Sequence, residues 1–207
     1  MKGFVNGYYR LANWVTQLAY FNMLWVLFSV AGLGILGFFP ATAALFAVIR
    51  KWMLEEDIRV FQTFWKYVRK DFIKANILGY LVLAIGYILY IEFQILWSSG
   101  QTMYVLASFG VLALVFLYVI MLLFLFPIFS HFNLSMVNYL KWPLVIGIIH
   151  PILTVFIVLT LSVSYYVVFM TIPALLFFFG GSITAYFLTW GGFKTFSKYE
   201  KVEVETV

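Results

Sequence analysis

Two side chains capable of acid–base chemistry, the carboxylate of Glu92 and the imidazole of His150, lie inside the long apolar stretches of this chain. A carboxylate within a membrane span is a candidate for binding a substrate or relaying a proton. Glu92 lies near the end of its span, where it can equally reach water or a neighbouring tyrosine. His150 precedes Pro151, a position that suits a packing residue as well as a ligand. Both are therefore candidate intramembrane polar residues.

These two residues do not form a catalytic pair in the sequence pattern. At 1.5 Å of helix rise per residue, their depths in the membrane differ by roughly 15 Å. No paired carboxylates and no serine–histidine–acid group accompany them, and the chain contains no cysteine to supply a thiolate. We therefore expect a non-enzymatic protein with no catalytic residue, no cofactor and no metal site.

The composition is that of a membrane protein. Hydrophobic residues make up 65% of the 207 residues and charged residues 10%, whereas soluble domains typically have about 25% charged residues. A bilayer core is crossed by about 20 apolar residues, and several uncharged runs exceed that length. The stretches between them are too short to build a core of their own. We expect one membrane domain over 1–207.

The apolar runs predict an all-α bundle of five long spans and one short helix. The stretch 17–49 would be about 50 Å long as one helix, and it contains three glycines and Pro40, which bend or end helices. We interpret it as a span that folds back near 35–40, and the sequence leaves open whether the return helix crosses fully or is re-entrant. The predicted segments are 17–38, 40–52 (short), 75–97, 103–127, 144–168 and 170–193.

The positive charges predict an orientation. With six segments, all 13 Lys and Arg residues fall on one side, as the positive-inside bias requires for the cytoplasmic side. With 17–49 as a single span, the best division is eleven against two, and the N-terminus is then outside. Because helix length and charge agree in the six-segment arrangement, we expect both termini in the cytoplasm.

The segment 55–74 predicts a basic amphipathic helix on the cytoplasmic face. Its apolar residues recur at helical spacing, cations fill much of the remaining surface, and such helices lie in membrane interfaces. It is interpreted either as a plain interfacial connector or as a docking helix for a partner. A nucleic-acid patch is disfavoured, because bases would compete with lipid for the same aromatic face. The candidate docking residues are Pro40, Arg59, Phe61, Phe64, Trp65 and Arg69.

Two short sequences resemble the YesL family of bacterial membrane proteins. They are Phe-Pro-Ala-Thr-x-Ala-Leu at 39–45 and Phe-x-x-Phe-Trp at 61–65. The resemblance is specific over roughly the first 95 residues and otherwise follows the span pattern. It implies a bacterial plasma membrane location and, because family members are typically encoded beside carbohydrate ABC importers, an accessory role in sugar uptake. It supplies no catalytic residues.

Two functions therefore remain open from the sequence. The first is an accessory subunit that contacts the lipid bilayer and ABC permease subunits. The second is a small stand-alone transporter or channel with a polar pathway at Glu92.

Overall fold

The computed structural model describes residues 2–55 and 58–196, and all regular structure in this part of the chain is helical. The predicted all-α class is therefore confirmed. The helices are α1 (Lys2–Ala31), α2 (Phe38–Leu54), α3 (Val60–Ser98), α4 (Thr102–His131), α5 (Met136–Ile149), α6 (Pro151–Thr171) and α7 (Ala174–Phe196).

Five of these helices are long and apolar enough to cross a bilayer. They are α1 (from Tyr9 onward), α3, α4, α6 and α7, which matches the predicted number of long spans and is compatible with a multi-pass membrane protein. α2 is the predicted short helix, with 17 residues.

Helix α2 is the core of the bundle, because α1, α3, α4 and α7 all pack against it. Its residues from Phe39 to Ile49 are buried on every side except at Thr42. A helix that is apolar all round is expected in such a position, and four alanines in this stretch let neighbouring helices approach closely.

The chain reverses between α1 and α2 in a tight turn at residues 32–37. Leu33 and Gly34 have positive φ angles of 58° and 72°, and the backbones of Gly32 and Gly37 touch, which leaves no room for a side chain at either position. Pro40 lies in the first turn of α2, where its missing N–H removes no helical hydrogen bond.

This turn is anchored to the middle of α3. The side-chain amide of Asn76 donates to the carbonyl oxygen of Leu36 (3.0 Å), and the hydroxyl of Tyr80 donates to that of Ile35 (2.8 Å). Beyond Tyr80, α3 continues to Ser98, a further 18 residues or about 27 Å. Measured along α3, the turn is therefore separated from the α3–α4 connection by about the thickness of a bilayer hydrocarbon core, which is about 30 Å.

The predicted surface helix 55–74 and the predicted span 75–97 form one continuous helix in the structure. α3 has 39 residues and is about 58 Å long. The charge pattern changes near Lys74, but no Gly or Pro interrupts 58–78, so the backbone has no reason to break there. Glu55 instead caps the end of α2 and pairs with Lys51 (3.4 Å). Glu56 and Asp57, predicted to start the surface helix, lie outside the described residues.

The predicted span 144–168 is two helices instead of one. α5 ends at Ile149 and α6 begins at Pro151, and His150 between them has φ −113° and ψ 62°. A proline disfavours helical geometry in the residue before it and has no N–H to continue the ladder. α5 is therefore a second short helix that the hydropathy pattern alone does not predict.

Candidate functional site

The exposed surface near the start of α3 carries an aromatic cluster. Phe61 and Trp65 are 50% and 45% exposed, whereas Phe64 between them is fully buried. The ring of Phe28 from α1 stacks on those of Phe64 (centroids 5.1 Å apart) and Trp65 (5.5 Å). Phe28 thus packs against both exposed rings. This packing fixes their position on the protein surface.

Cations surround this cluster. The guanidinium of Arg69 lies over the indole ring of Trp65, 5.6 Å from its centroid, in a cation–π contact. Lys66, Lys70 and Lys74 are exposed at intervals of four residues. Like charges at this spacing repel one another on a helix, and Asp71, which attracts Lys70 and Lys74, offsets only part of the repulsion within this row. The row suits an anionic surface outside the protein.

Glu92 lies on the outer surface of α3 and not in the bundle interior. Its side chain is exposed, and within residues 2–55 and 58–196 its carboxylate has no ion-pair or hydrogen-bond partner. Lys74 and Glu92 are 18 residues apart, which is five full turns of an α-helix. One face of α3 therefore has a cation at one end of its apolar part and an anion about 27 Å away.

The other predicted docking residues divide between the surface and the core. Arg59 is exposed and occupies the N-cap position of α3. Pro40 is buried in α2, as Phe64 is in α3. These two cannot touch a partner directly, so their contribution is to position the exposed residues.

His150 lies far from the Glu92 surface in the fold, at the junction of α5 and α6. Its backbone carbonyl accepts hydrogen bonds from the N–H and the hydroxyl of Thr154 (3.0 and 3.1 Å). Its ring lines a cavity with residues of α6 and α7, and Glu92 is not part of that lining. The structure does not bring the two predicted polar residues together. Across the described ranges, no three His, Asp or Glu side chains gather into a metal-sized group.

Two polar contacts between helices have no counterpart in the sequence predictions. The side-chain amide of Asn22 joins α1 to α7, because it donates to the carbonyl of Phe177 and accepts from the N–H of Ser182. Arg50 of α2 lies 3.4 Å from the ring nitrogen of His131 at the end of α4. An asparagine well inside a 39-residue uncharged run is a signal that could have identified the first, because polar side chains in spans often join helices.

Comparisons with known proteins identify similar chains. A family model described as "Protein of unknown function, DUF624" matches residues 18–93. The uncharacterized protein YteU of Bacillus subtilis (strain 168) is 35% identical over 86% of this chain and 79% of its own length. The uncharacterized protein YesL of the same organism is 34% identical over 95% and 92%, respectively. No solved structure matches the chain.

Proposed function

This chain belongs to the DUF624 family, which includes YesL, and from this premise we propose that it is a non-enzymatic accessory subunit of carbohydrate ABC import. It would act by binding permease subunits in the bacterial plasma membrane through the outer surface of α3. The observation that carries the proposal is the exposed cluster of Phe61, Trp65 and Arg69 on a rigid helix.

The residue types of this surface are those that supply most of the binding energy at protein interfaces. Trp, Tyr and Arg are enriched among such residues, particularly where they are held rigidly. Because the ring of Trp65 already stacks on that of Phe28 and lies under the guanidinium of Arg69, little rotational freedom would be lost on binding. This supports docking more strongly than a connector that merely rests on lipid.

Glu92 supports a partner within the membrane. A charged side chain facing lipid is costly, and such residues usually pair with another group. A cation or hydroxyl from a permease helix packed along α3 would supply that group. The sugar-import assignment itself comes from the family resemblance, which links members to carbohydrate ABC importers.

A stand-alone transporter has less support. Glu92, Tyr87 and Tyr90 are all exposed on α3, whereas a pathway through one copy of the chain would need them to face the interior.

We further propose that α1 and α2 form a shallow re-entrant hairpin on the cytoplasmic side, whose turn stays near the inner boundary of the hydrocarbon core. The turn at 32–37 contacts Asn76 and Tyr80, just past the last cation of α3, and lies about 27 Å short of Ser98. A hairpin that enters and leaves on one side preserves the predicted orientation, with both termini cytoplasmic and α3, α4, α6 and α7 crossing fully.

Cysteine labelling tests this topology, since the chain has no native cysteine. A membrane-impermeant maleimide added to intact cells should label Ser99→Cys and leave Leu33→Cys unmodified. Lys66→Cys should react only after the membrane is permeabilised. Labelling of Leu33→Cys at the rate of Ser99→Cys would show that α2 crosses the whole bilayer.

The double replacement Phe61→Ala/Trp65→Ala tests docking. We expect the amount of carbohydrate permease that co-purifies in mild detergent to fall about tenfold or more, because truncating a central aromatic contact typically costs at least about 2 kcal/mol. The membrane level of the protein should stay constant, since both side chains are half exposed. Phe64 is excluded from the test because it is buried.

The matched control is Tyr166→Ala/Phe169→Ala, which removes two exposed aromatic side chains from α6, outside the proposed docking surface. It should leave permease recovery unchanged. Glu92→Gln should lower recovery without altering the membrane level. Equal recovery in Phe61→Ala/Trp65→Ala and the control would refute docking through this surface.

A further inference from the structure

A cavity of about 570 Å³ opens between the start of α6 and the end of α7. Its wall includes His150, Ile152, Leu153, Phe156, Trp190 and Lys194. It does not include any residue of the α3 surface, so what it binds is independent of the proposed docking function. Most of the wall is apolar, and its polar side chains are those of His150 at the start of α6 and of Lys194 and Thr195 at the end of α7.

The polar groups of the cavity suit an anion. The ammonium of Lys194 lies 3.9 Å from the ring centroid of Trp190, which keeps the cation at the cavity. The first backbone bond of α6 runs from the N–H of Thr154 to the carbonyl of His150, so the N–H groups of Ile152 and Leu153 precede it and have no acceptor within the helix. Both groups of donors favour negative charge.

The apolar side of the cavity continues along the outside of α6. Ile152, Phe156, Leu159 and Val163 are exposed and recur at intervals of four, three and four residues, so they share one helix face. Only Thr154 and Ile157 of this helix are buried. A molecule with a charged head in the cavity therefore has an apolar track leading away from it.

We propose that this cavity binds the phosphate-bearing headgroup of an anionic phospholipid, with an acyl chain along the exposed face of α6. A free phosphate would satisfy the same donors but would leave the apolar track unused, and this continuity favours lipid. Pairs of Trp and Lys are also typical of the membrane–water boundary, where headgroups lie.

The test measures lipid preference in the full-length protein. Native mass spectrometry after exchange into mixed phosphatidylglycerol and phosphatidylcholine should show preferential retention of phosphatidylglycerol. Lys194→Gln should reduce this preference about fivefold, as expected for the loss of one cation beside an anionic headgroup. Lys194→Arg should keep it, which separates loss of binding from loss of folding.

The matched control is Lys141→Gln, which removes another exposed cation and should leave the preference unchanged. An equal decrease in both glutamine variants would overturn the proposal in favour of general surface charge, and no decrease in Lys194→Gln would overturn it directly. Inorganic phosphate in lipid-free neutral detergent should not raise the melting temperature. If it raised it as much as phosphatidylglycerol does, the site would be one for a soluble anion.

Discussion

Replacing Gly37 by alanine is expected to prevent stable folding. A Cβ atom at this position would lie 2.5 Å from the backbone carbonyl oxygens of both Phe28 and Ser29 and 2.9 Å from the Cα atom of Gly32. All three are backbone atoms, so no side chain can rotate away to relieve the overlap. Overpacking against side chains already costs about 1–3 kcal/mol, and native proteins have only about 5–15 kcal/mol in total.

The measurement is the fraction of detergent-extracted protein that elutes as a single species, together with its melting temperature. Gly110→Ala is the matched control, because Gly110 lies within α4 and a Cβ there would meet nothing within 4 Å. We expect this control to match or slightly exceed the wild type, since alanine favours helix more than glycine does. Equal behaviour of the two variants would mean that α1 and α2 do not meet in this turn.

This turn also shows how far the sequence predicts the fold. Helix length and the glycines at 32, 34 and 37 indicate a reversal, and the structure has one at 32–37. Both signals are local, because steric limits on φ and on helix span are properties of the chain itself. The depth of the turn is not local: it depends on bonds from Asn76 and Tyr80, some 40 residues away.

Helix ends near a change in environment are harder to predict. After Lys74 the sequence changes from charged to apolar, but this change does not interrupt the backbone hydrogen bonds of α3, and the helix continues. At His150 the surroundings stay apolar, but Pro151 removes a backbone donor and the helix ends. Hydropathy reflects the polarity of the side chains and hence the surroundings that they prefer. Where a helix ends depends instead on whether the backbone hydrogen bonds can continue.

The sequence predicts which residues form the candidate site, but it does not predict which of their side chains are exposed. Helical spacing places Phe61, Phe64, Trp65 and Val68 on one apolar stripe. In the structure, Phe64 and Val68 are buried against the bundle, while Phe61 and Trp65 remain half exposed. Periodicity identifies a face of the helix, but only the packing of Phe28 and its neighbours determines which part of that face is left for a partner.

Replacing Asn22 by leucine should weaken the packing of α1 against α7. Asn22 is 1% exposed; its amide nitrogen donates to the carbonyl of Phe177 (2.7 Å), and its amide oxygen accepts from the N–H of Ser182 (3.0 Å). Leucine has a similar volume but offers neither bond, so the carbonyl of Phe177 and the N–H of Ser182 would each lose their hydrogen bond to α1.

The expected cost of Asn22→Leu is about 2 kcal/mol, between the small values measured for hydrogen bonds in membranes and the larger penalties for unsatisfied buried groups. For a chain of this size, that corresponds to a melting temperature lower by roughly 4–8 °C. The Ser182 amide should also exchange with deuterium faster, a local effect that general loss of packing would not concentrate there.

Asn133→Leu, at an exposed position between α4 and α5, should change neither quantity. If the Ser182 amide stays as protected in Asn22→Leu as in the wild type, Asn22 does not hold the two helices together, and apolar packing alone must join α1 to α7.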